Sequence, residues 1–307
     1  MNYDLIGDIH GHARALKALL RCLGYNRVQG VWQRPGHTAV FLGDLIDRGP
    51  QQREVLKIVR DMVEMGHALI VMGNHEFNAL AYATPHPRRQ GHYLRPHSQK
   101  NQLQHSAFLS QLREGSSAYQ DAIDWFWTLP LYLELDELRV IHACWHPSHI
   151  EVMDDLTHTS AQLTPELLAR ASQPGDAVYD AVEVLLKGLE MELPSDTSYL
   201  DKDGNPRTQL RVRWWDMNAS TYRELALINE QKRHLIPDDP VEPDFLPGYD
   251  HEKPVFFGHY WMTGRPVPLN PSLACLDYSV AARHGGKLCA YRFEGERQLQ
   301  ERNFIWV

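Results

Sequence analysis

Apolar positions in the first quarter of the chain recur in two alternating rhythms. Three short runs, Tyr3-Asp4-Leu5-Ile6, Ala39-Val40-Phe41-Leu42 and Ala68-Leu69-Ile70-Val71-Met72, have the length and composition of strands. Between them Leu16, Leu19, Leu20 and Leu23 fall at helical spacing and stop before Gly24, as Val55, Val59, Met62 and Val63 do before Gly66. Strand and helix in alternation predict an α/β fold with a mainly parallel sheet covered by helices. The loops that follow the strands form its working edge.

Beyond this core the rhythm lapses. Residues 84–113 carry too many prolines and too little periodicity for a regular core element. They are expected to form a solvated connection, with a substrate rim built from Arg88, Arg89, Arg95 and Lys100 as the alternative. Pro130 ends a helix, and 131–135 with 138–141 read as a hairpin through Asp136-Glu137. Residues 150–207 read as a helical insertion: Thr164-Pro165 starts one helix, Val178, Ala181, Val182, Leu185 and Leu186 share a face of another, and Asp203-Gly204 makes a turn. No flexible linker flanks this stretch, so 1–307 is expected to be a single domain. Residues 210–215 alternate like a strand, Thr221 with Glu224 predicts a capped helix to about Arg233, and 236–254 is an irregular, proline-rich and acidic excursion. Runs at 255–257, 273–276, 288–293 and 304–307 supply the last strands.

Composition narrows the function classes. A formal charge of -8 argues against a chain built to grip a nucleic acid backbone, which needs a dominant basic face. No window approaches the roughly 18 apolar residues of a membrane span, and the first residues open straight into a strand, so a cytoplasmic protein is expected. Cys22, Cys144, Cys275 and Cys289 are too scattered for a disulfide framework or a zinc ribbon and are expected to be reduced thiols.

Charge and imidazole gather where the apolar runs stop. The first run ends on Gly7-Asp8-Ile9-His10-Gly11, the second on Gly43-Asp44-Leu45-Ile46-Asp47-Arg48-Gly49-Pro50, and the third on Gly73-Asn74-His75-Glu76. The strand at 138–141 ends on His142, and Val255-Phe256-Phe257 ends on Gly258-His259. Taken singly, Asp8 could be a helix cap and His142 a core histidine. Capping does not explain five strand ends that all carry metal-type donors. Hard oxygens mixed with imidazole suit zinc, manganese or iron, and the six groups Asp8, His10, Asp44, Asn74, His142 and His259 exceed the needs of one ion with open positions. Two ions sharing one carboxylate, best Asp44 from the middle of the set, is the natural arrangement.

This ordered series, from residue 7 to residue 259, resembles the calcineurin-like metallophosphoesterases. The Asp47-Arg48-Gly49 and Gly73-Asn74-His75-Glu76 forms are most similar to its phosphoprotein phosphatase branch, which includes bacterial serine/threonine phosphatases and symmetrical dinucleoside tetraphosphatases. The resemblance implies a four-layer αββα sandwich. It also implies that Asp8, His10 and Asp44 hold one divalent metal ion and that Asp44, Asn74, His142 and His259 hold the other, manganese being expected ahead of iron or zinc. His75 would be the general acid, oriented by Asp47, and Arg48 would bind phosphate. Chemistry agrees: two cations acidify a water held between them, an imidazole beside a carboxylate keeps its proton, and an arginine fork fits phosphate oxygens.

The implied activity is hydrolysis of phosphate monoesters on a small molecule, nucleotide or phosphoprotein. A dinucleoside polyphosphate or a 2',3'-cyclic nucleotide is the alternative substrate, and a non-catalytic metal-binding regulatory module the alternative from another class. No membrane or stable nucleic acid partner is expected. The chain departs from the family pattern at Trp261, where many members place a further histidine ligand, and at Ala143-Cys144-Trp145, where related protein phosphatases have two glycines. A second phosphate-binding arginine has three candidates, Arg211, Arg213 and Arg223.

Overall fold

Alternation along each strand sorts the apolar residues into layers in the computed structural model, which describes residues 2–195, 197–200, 206–242 and 244–307. Successive side chains of a strand face opposite ways. Leu5, Val40 and Tyr291 therefore point to one face of the first sheet, while Ile6, Ala39 and Phe41 point to the other. The turn expected at Asp203-Gly204 lies outside the described residues.

The first sheet is six-stranded. Asn2–Ile6 runs parallel to His37–Phe41, which runs parallel to Ala68–Ile70. On its other side Asn2–Ile6 pairs antiparallel with Lys287–Phe293, which carries Asp277–Tyr278 and Phe304–Trp306. The second sheet has four strands in the order Leu273–Cys275, Val255–Phe257, Arg139–Ile141, Tyr132–Glu134. The first three are parallel, and the last closes the expected hairpin.

The two sheets meet face to face. Phe256 of the second sheet lies 5.1 Å from Tyr291 and 6.1 Å from Phe293 of the first, ring centre to ring centre, and all three are buried. Leu5, Val40, Val140 and Ala274 complete this inner layer. Helices Ala13–Cys22 and Gln52–Glu64 bury Leu16, Leu19, Leu20, Val55, Val59 and Met62. Helices Pro147–Thr157, Pro165–Ala171 and Ala177–Lys187 pack on one another and share a core with Ile141, Val255 and Phe257 of the second sheet. The result is the four-layer sandwich, and both sheets send their strand ends to the same rim.

Four segments differ from expectation. The 150–207 stretch is helical only to Lys187, beyond which Glu190–Glu192 pairs antiparallel with Gln209–Arg211 and Tyr199–Leu200 with Pro206–Arg207. The 84–113 stretch contains two short helices, Gln99–Gln104 and Ser106–Gln111, anchored by buried His105 and Phe108, so it is a wall of the molecule as well as a connection. The cap at Thr221 forms, its Oγ1 accepting the Glu224 N–H at 3.2 Å, but the helix stops at Leu225. There the chain turns to pair with its own strand-like run: the Arg213 N–H donates to Leu225 O and the Leu227 N–H to Arg211 O. A hairpin of Asn26–Val28 with Val31–Gln33 was not signalled by periodicity, because its strands are only three residues long.

Candidate active site

The loops that leave the strand ends have an unusual backbone. His10, Asp44, Asp47, Arg48, His259 and Trp261 all have positive φ, between 45° and 72°. Side chains other than glycine adopt this region at a cost of about 1 kcal/mol or more each, so the surroundings must hold them there. Glu76 holds the loop that carries Asp44. Its buried carboxylate accepts the Gly73 and Asp44 N–H groups at 3.0 and 2.9 Å and those of Leu45 and Ile46 at 2.9 and 3.3 Å. The two loops touch so closely that a Cβ on Gly73 would stand 2.2 Å from Asp44 N.

Asp44 is the hub. Its Oδ2 faces His10 Nε2 at 3.6 Å, and its Oδ1 faces His142 Nε2 at 3.4 Å while accepting the His75 N–H at 2.9 Å. His10 donates from Nδ1 to Ile46 O at 2.9 Å, and His142 donates from Nδ1 to Leu42 O at 2.7 Å, which aims each Nε2 inward. Asn74 Oδ1 lies 3.1 Å from His142 Nε2 and 2.8 Å from His259 Nδ1. Asp8 Oδ2 accepts the His259 N–H at 3.1 Å. Two groups of closely spaced donor atoms result, His10 with Asp44 and His75, and Asp44 with His142 and His259; in the first the expected acid, His75, stands beside the expected ligands.

The donors fit divalent cations. Asp8 Oδ1, His10 Nε2 and His259 Nε2 are buried without a hydrogen-bond partner among the described residues, an arrangement that burial penalises unless something binds there. The electrostatics agree. Burial, then Asp277 nearby, raises the Asp8 carboxyl well above its usual range. Burial drives His10 down to about 3, helped by His75 and Arg48 and opposed by Asp44. Burial would lower His142 too, but Asp44 carries it up to about 10. A cation at Asp44 would replace the proton on His142 and balance the buried carboxylates together.

Beside the hub stands a second group. Asp47 Oδ2 is 2.5 Å from His75 Nδ1, and Asp47 Oδ1 is 2.8 Å from His105 Nδ1. Burial opposes ionisation of Asp47, yet the two imidazole donors outweigh it and hold the carboxyl at about 2. Burial would also lower His75, but the Asp44 and Asp47 carboxylates raise it above its ordinary value. Arg48 lies over the Trp261 ring at 4.5 Å, and the Trp261 N–H is fixed by Asp277 Oδ2 at 2.7 Å. All of this opens on a cavity of about 710 Å³ whose walls add Arg95, Lys100, Lys187 and Arg211.

The structure thus brings together the residues expected to be ligands or to act on phosphate, Asp8, His10, Asp44, Asp47, Arg48, Asn74, His75, His142 and His259, while Arg88 and Arg89 of the expected rim do not line the cavity. Of the three arginine candidates only Arg211 reaches the cavity. Arg213 is turned to Glu224 O, and Arg223 to Asp238 and Ile236 O. Sequence reasoning missed His105 and Lys187, and gave no role to Asp277 although the run Cys275-Leu276-Asp277-Tyr278 resembles bacterial members of the family. Glu76 had a signal, since it stands three residues after the cap position of its helix. His105 had none, being one histidine in a polar stretch.

Comparison with known proteins fits this geometry. The sequence profile of the calcineurin-like phosphoesterases matches residues 1–179. The chain is similar to the bis(5'-nucleosyl)-tetraphosphatase PrpE (asymmetrical) of Bacillus subtilis (strain 168), 36% identical over 148 residues, 47% of this chain and 57% of that one. It is also similar to the protein of the same name from Oceanobacillus iheyensis, 31% identical over 144 residues, 47% of this chain and 55% of that one. The matches span little more than half the length of these relatives, whose names carry the asymmetrical designation where the resemblance pointed to the symmetrical type. Among solved structures, a protein serine/threonine phosphatase from Saccharomyces cerevisiae aligns with a TM-score of 0.53 at 13% identity, over 100% of this chain and 79% of that one. A cold-active protein-tyrosine phosphatase of a Shewanella species gives 0.52 at 16% identity, over 100% and 80%. These likenesses establish the shared fold.

Proposed function

The chain belongs to the calcineurin-like phosphoesterase family, and on that premise we propose that it hydrolyses phosphate esters with two divalent metal ions, manganese being the expected pair. Asp8, His10 and Asp44 are assigned to one ion, and Asp44, Asn74, His142 and His259 to the other. The observation that carries this reading is Asp44, whose two carboxylate oxygens face separate imidazole clusters while the Asp47–His75 pair stands beside it. Bound there, divalent cations supply charge that polarises a phosphoryl oxygen and acidifies a water.

The chain's own residues do the rest. Arg48, stacked on Trp261, offers its guanidinium fork to phosphate oxygens from a fixed position. His75 has Nδ1 on Asp47 and Nε2 3.9 Å from Asp44 Oδ2, so its proton is presented to an oxygen leaving from the hub. Asp47 stabilises the charged imidazole and fixes its tautomer. The buried histidines His10 and His142 are locked by carbonyl acceptors, which keeps the donor set preorganised.

A second substrate reading, hydrolysis of a dinucleoside polyphosphate, is favoured by Arg95, Lys100, Lys187 and Arg211 in the walls of the cavity beyond Arg48. One phosphate needs few partners, whereas a chain of phosphates uses several. The names of the sequence relatives point the same way. The free thiols of Cys22, Cys144, Cys275 and Cys289 support action in a reducing compartment, the cytoplasm. Among the described residues no helix is long and apolar enough to cross a membrane.

The test is to load the protein with manganese, measure bound metal, and assay one preparation on aryl phosphates, phosphopeptides, 2',3'-cyclic nucleotides and a dinucleoside tetraphosphate. Turnover of at least one is expected. Two filled sites with no turnover on any would leave the regulatory-module reading standing instead.

A further inference from the structure

Asp47 has two carboxylate oxygens and gives each to a different histidine. Only one of these, His75, faces the hub. The other, His105, arrives from the junction of the two short helices Gln99–Gln104 and Ser106–Gln111. Its immediate neighbours Gln104 and Ser106 are exposed, yet His105 is only 5% exposed. We propose that His105 is a positioning residue for the general acid: it occupies one oxygen of Asp47, so that the other can hold the His75 ring in a single orientation. This inference rests on the phosphoester hydrolase reading.

Packing alone does not account for an imidazole at this place. The ring lies flat on Phe108, with centres 4.7 Å apart and planes at 22°, and is tilted against Tyr82 at 5.4 Å. An aromatic hydrocarbon would fill that slot without burying two nitrogens. Burying a polar ring costs free energy unless a hydrogen bond offsets it, and the described bond of the His105 side chain is the one to Asp47, its Nε2 being buried without a partner. The imidazole is therefore suited to donating, and the slot fixes where it donates.

The geometry explains what the donor accomplishes. With one oxygen free, a carboxylate can rotate and exchange the oxygen that meets His75. With both taken, rotation breaks two bonds at once. Tyr82 and His75 belong to the same helix, Asn74–Ala83, so one rigid element supplies the acid and a wall of the slot that locks its orienter. Lys100, Asn101 and Gln104, from the same segment as His105, line the cavity. The part of the chain that meets substrate thus also steadies the acid.

Three variants separate positioning from mere support. His105→Phe keeps the stack on Phe108 but cannot donate, and His105→Asn places an amide N–H where Nδ1 stands. With manganese-loaded protein, His105→Phe should slow hydrolysis of alkyl phosphates, which need protonation of the leaving oxygen, by about tenfold or more. It should leave a nitroaryl phosphate within about twofold of wild type, and His105→Asn should recover most of the loss. Equal slowing of both esters, or no slowing of either, overturns the proposal. If His105→Phe does not fold, His105→Ala with added imidazole takes its place, and failure of imidazole to restore alkyl phosphate turnover counts against it. Proton NMR with 15N-labelled histidine gives a readout without turnover: the low-field Nδ1–H resonance of His75 should persist in His105→Asn and be lost in His105→Phe or His105→Ala. An unchanged resonance in these donor-deficient variants overturns the proposal whatever the kinetics. If wild type hydrolyses neither ester, the hydrolase reading fails, and the resonance still decides whether His105 orders His75.

Discussion

His75 sits between two carboxylates, Asp44 and Asp47, and makes its short bond to the latter. His75→Asn removes the proton and keeps the proposed ligands Asp8, His10, Asp44, Asn74, His142 and His259 in place. Bound manganese should therefore stay the same by elemental analysis, while alkyl phosphate turnover falls by about 10²-fold or more. Aryl esters with good leaving groups should suffer less. Arg211 reaches the cavity and Arg223 does not. Arg211→Ala should raise KM for a polyphosphate by about tenfold, the loss of one charge-assisted contact, whereas Arg223→Ala should leave KM unchanged. His146 offers a pH test away from the hub. Burial, with His149 at 4.3 Å ring to ring, lowers it to about 4. Its folded value lies below its unfolded one, so the neutral ring costs nothing above pH 6.5 and stability drains away as pH falls from there toward 4. His146→Gln should remove that slope, worth about 1 kcal/mol between pH 7 and pH 5 once solvent screening of this half-exposed group is allowed for; urea melts at both pH values measure it.

At the scale of elements, the decisive piece is the tie between two loops through Glu76. Gly73 is a glycine because the next loop occupies the space of a side chain: a Cβ there would also stand 2.4 Å from Asp44 Oδ1. Gly73→Ala should push Asp44 aside, lower stability by about 2 kcal/mol and weaken manganese binding, which calorimetry on the folded variant would show. The strand ends were legible in sequence because an apolar run that stops at glycine and aspartate is a local pattern. The Thr221 cap was legible too, but the length of its helix was not. Pairing of 225–227 with 211–213 decided that length, and such pairing joins residues that no single window contains. The 84–113 wall escaped for a similar reason. Its anchors, His105 and Phe108, are two residues in a polar stretch; the partners of the first lie in the loop at 43–50 and the helix Asn74–Ala83, and those of the second in the helix Ser117–Phe126.

For the whole molecule, period-two alternation indicated which strand residues were apolar but not that two sheets would stack through Phe256, Tyr291 and Phe293; that expectation came from family resemblance. Phe256→Ala should cost about 3–5 kcal/mol, as truncation of a fully buried aromatic does, and lower the cooperative thermal transition accordingly. Metal binding should act in the opposite direction. Manganese at 100 times its Kd should add about 3 kcal/mol through mass action, visible as a rise in Tm that a chelator reverses.

The bond from the His259 N–H to Asp8 Oδ2 joins positions separated by 251 residues. One consequence concerns synthesis. While the chain is still on the ribosome, residues 1–179 can align the His37–Phe41 and Ala68–Ile70 strands, yet Asp8 has no partner and the second cluster lacks His259. Nor can Lys287–Phe293 flank the first strand until later still. A stalled nascent chain ending near residue 250 should therefore hold manganese poorly however well its first loops are formed, and metal acquisition becomes a late event that reports completion of the fold.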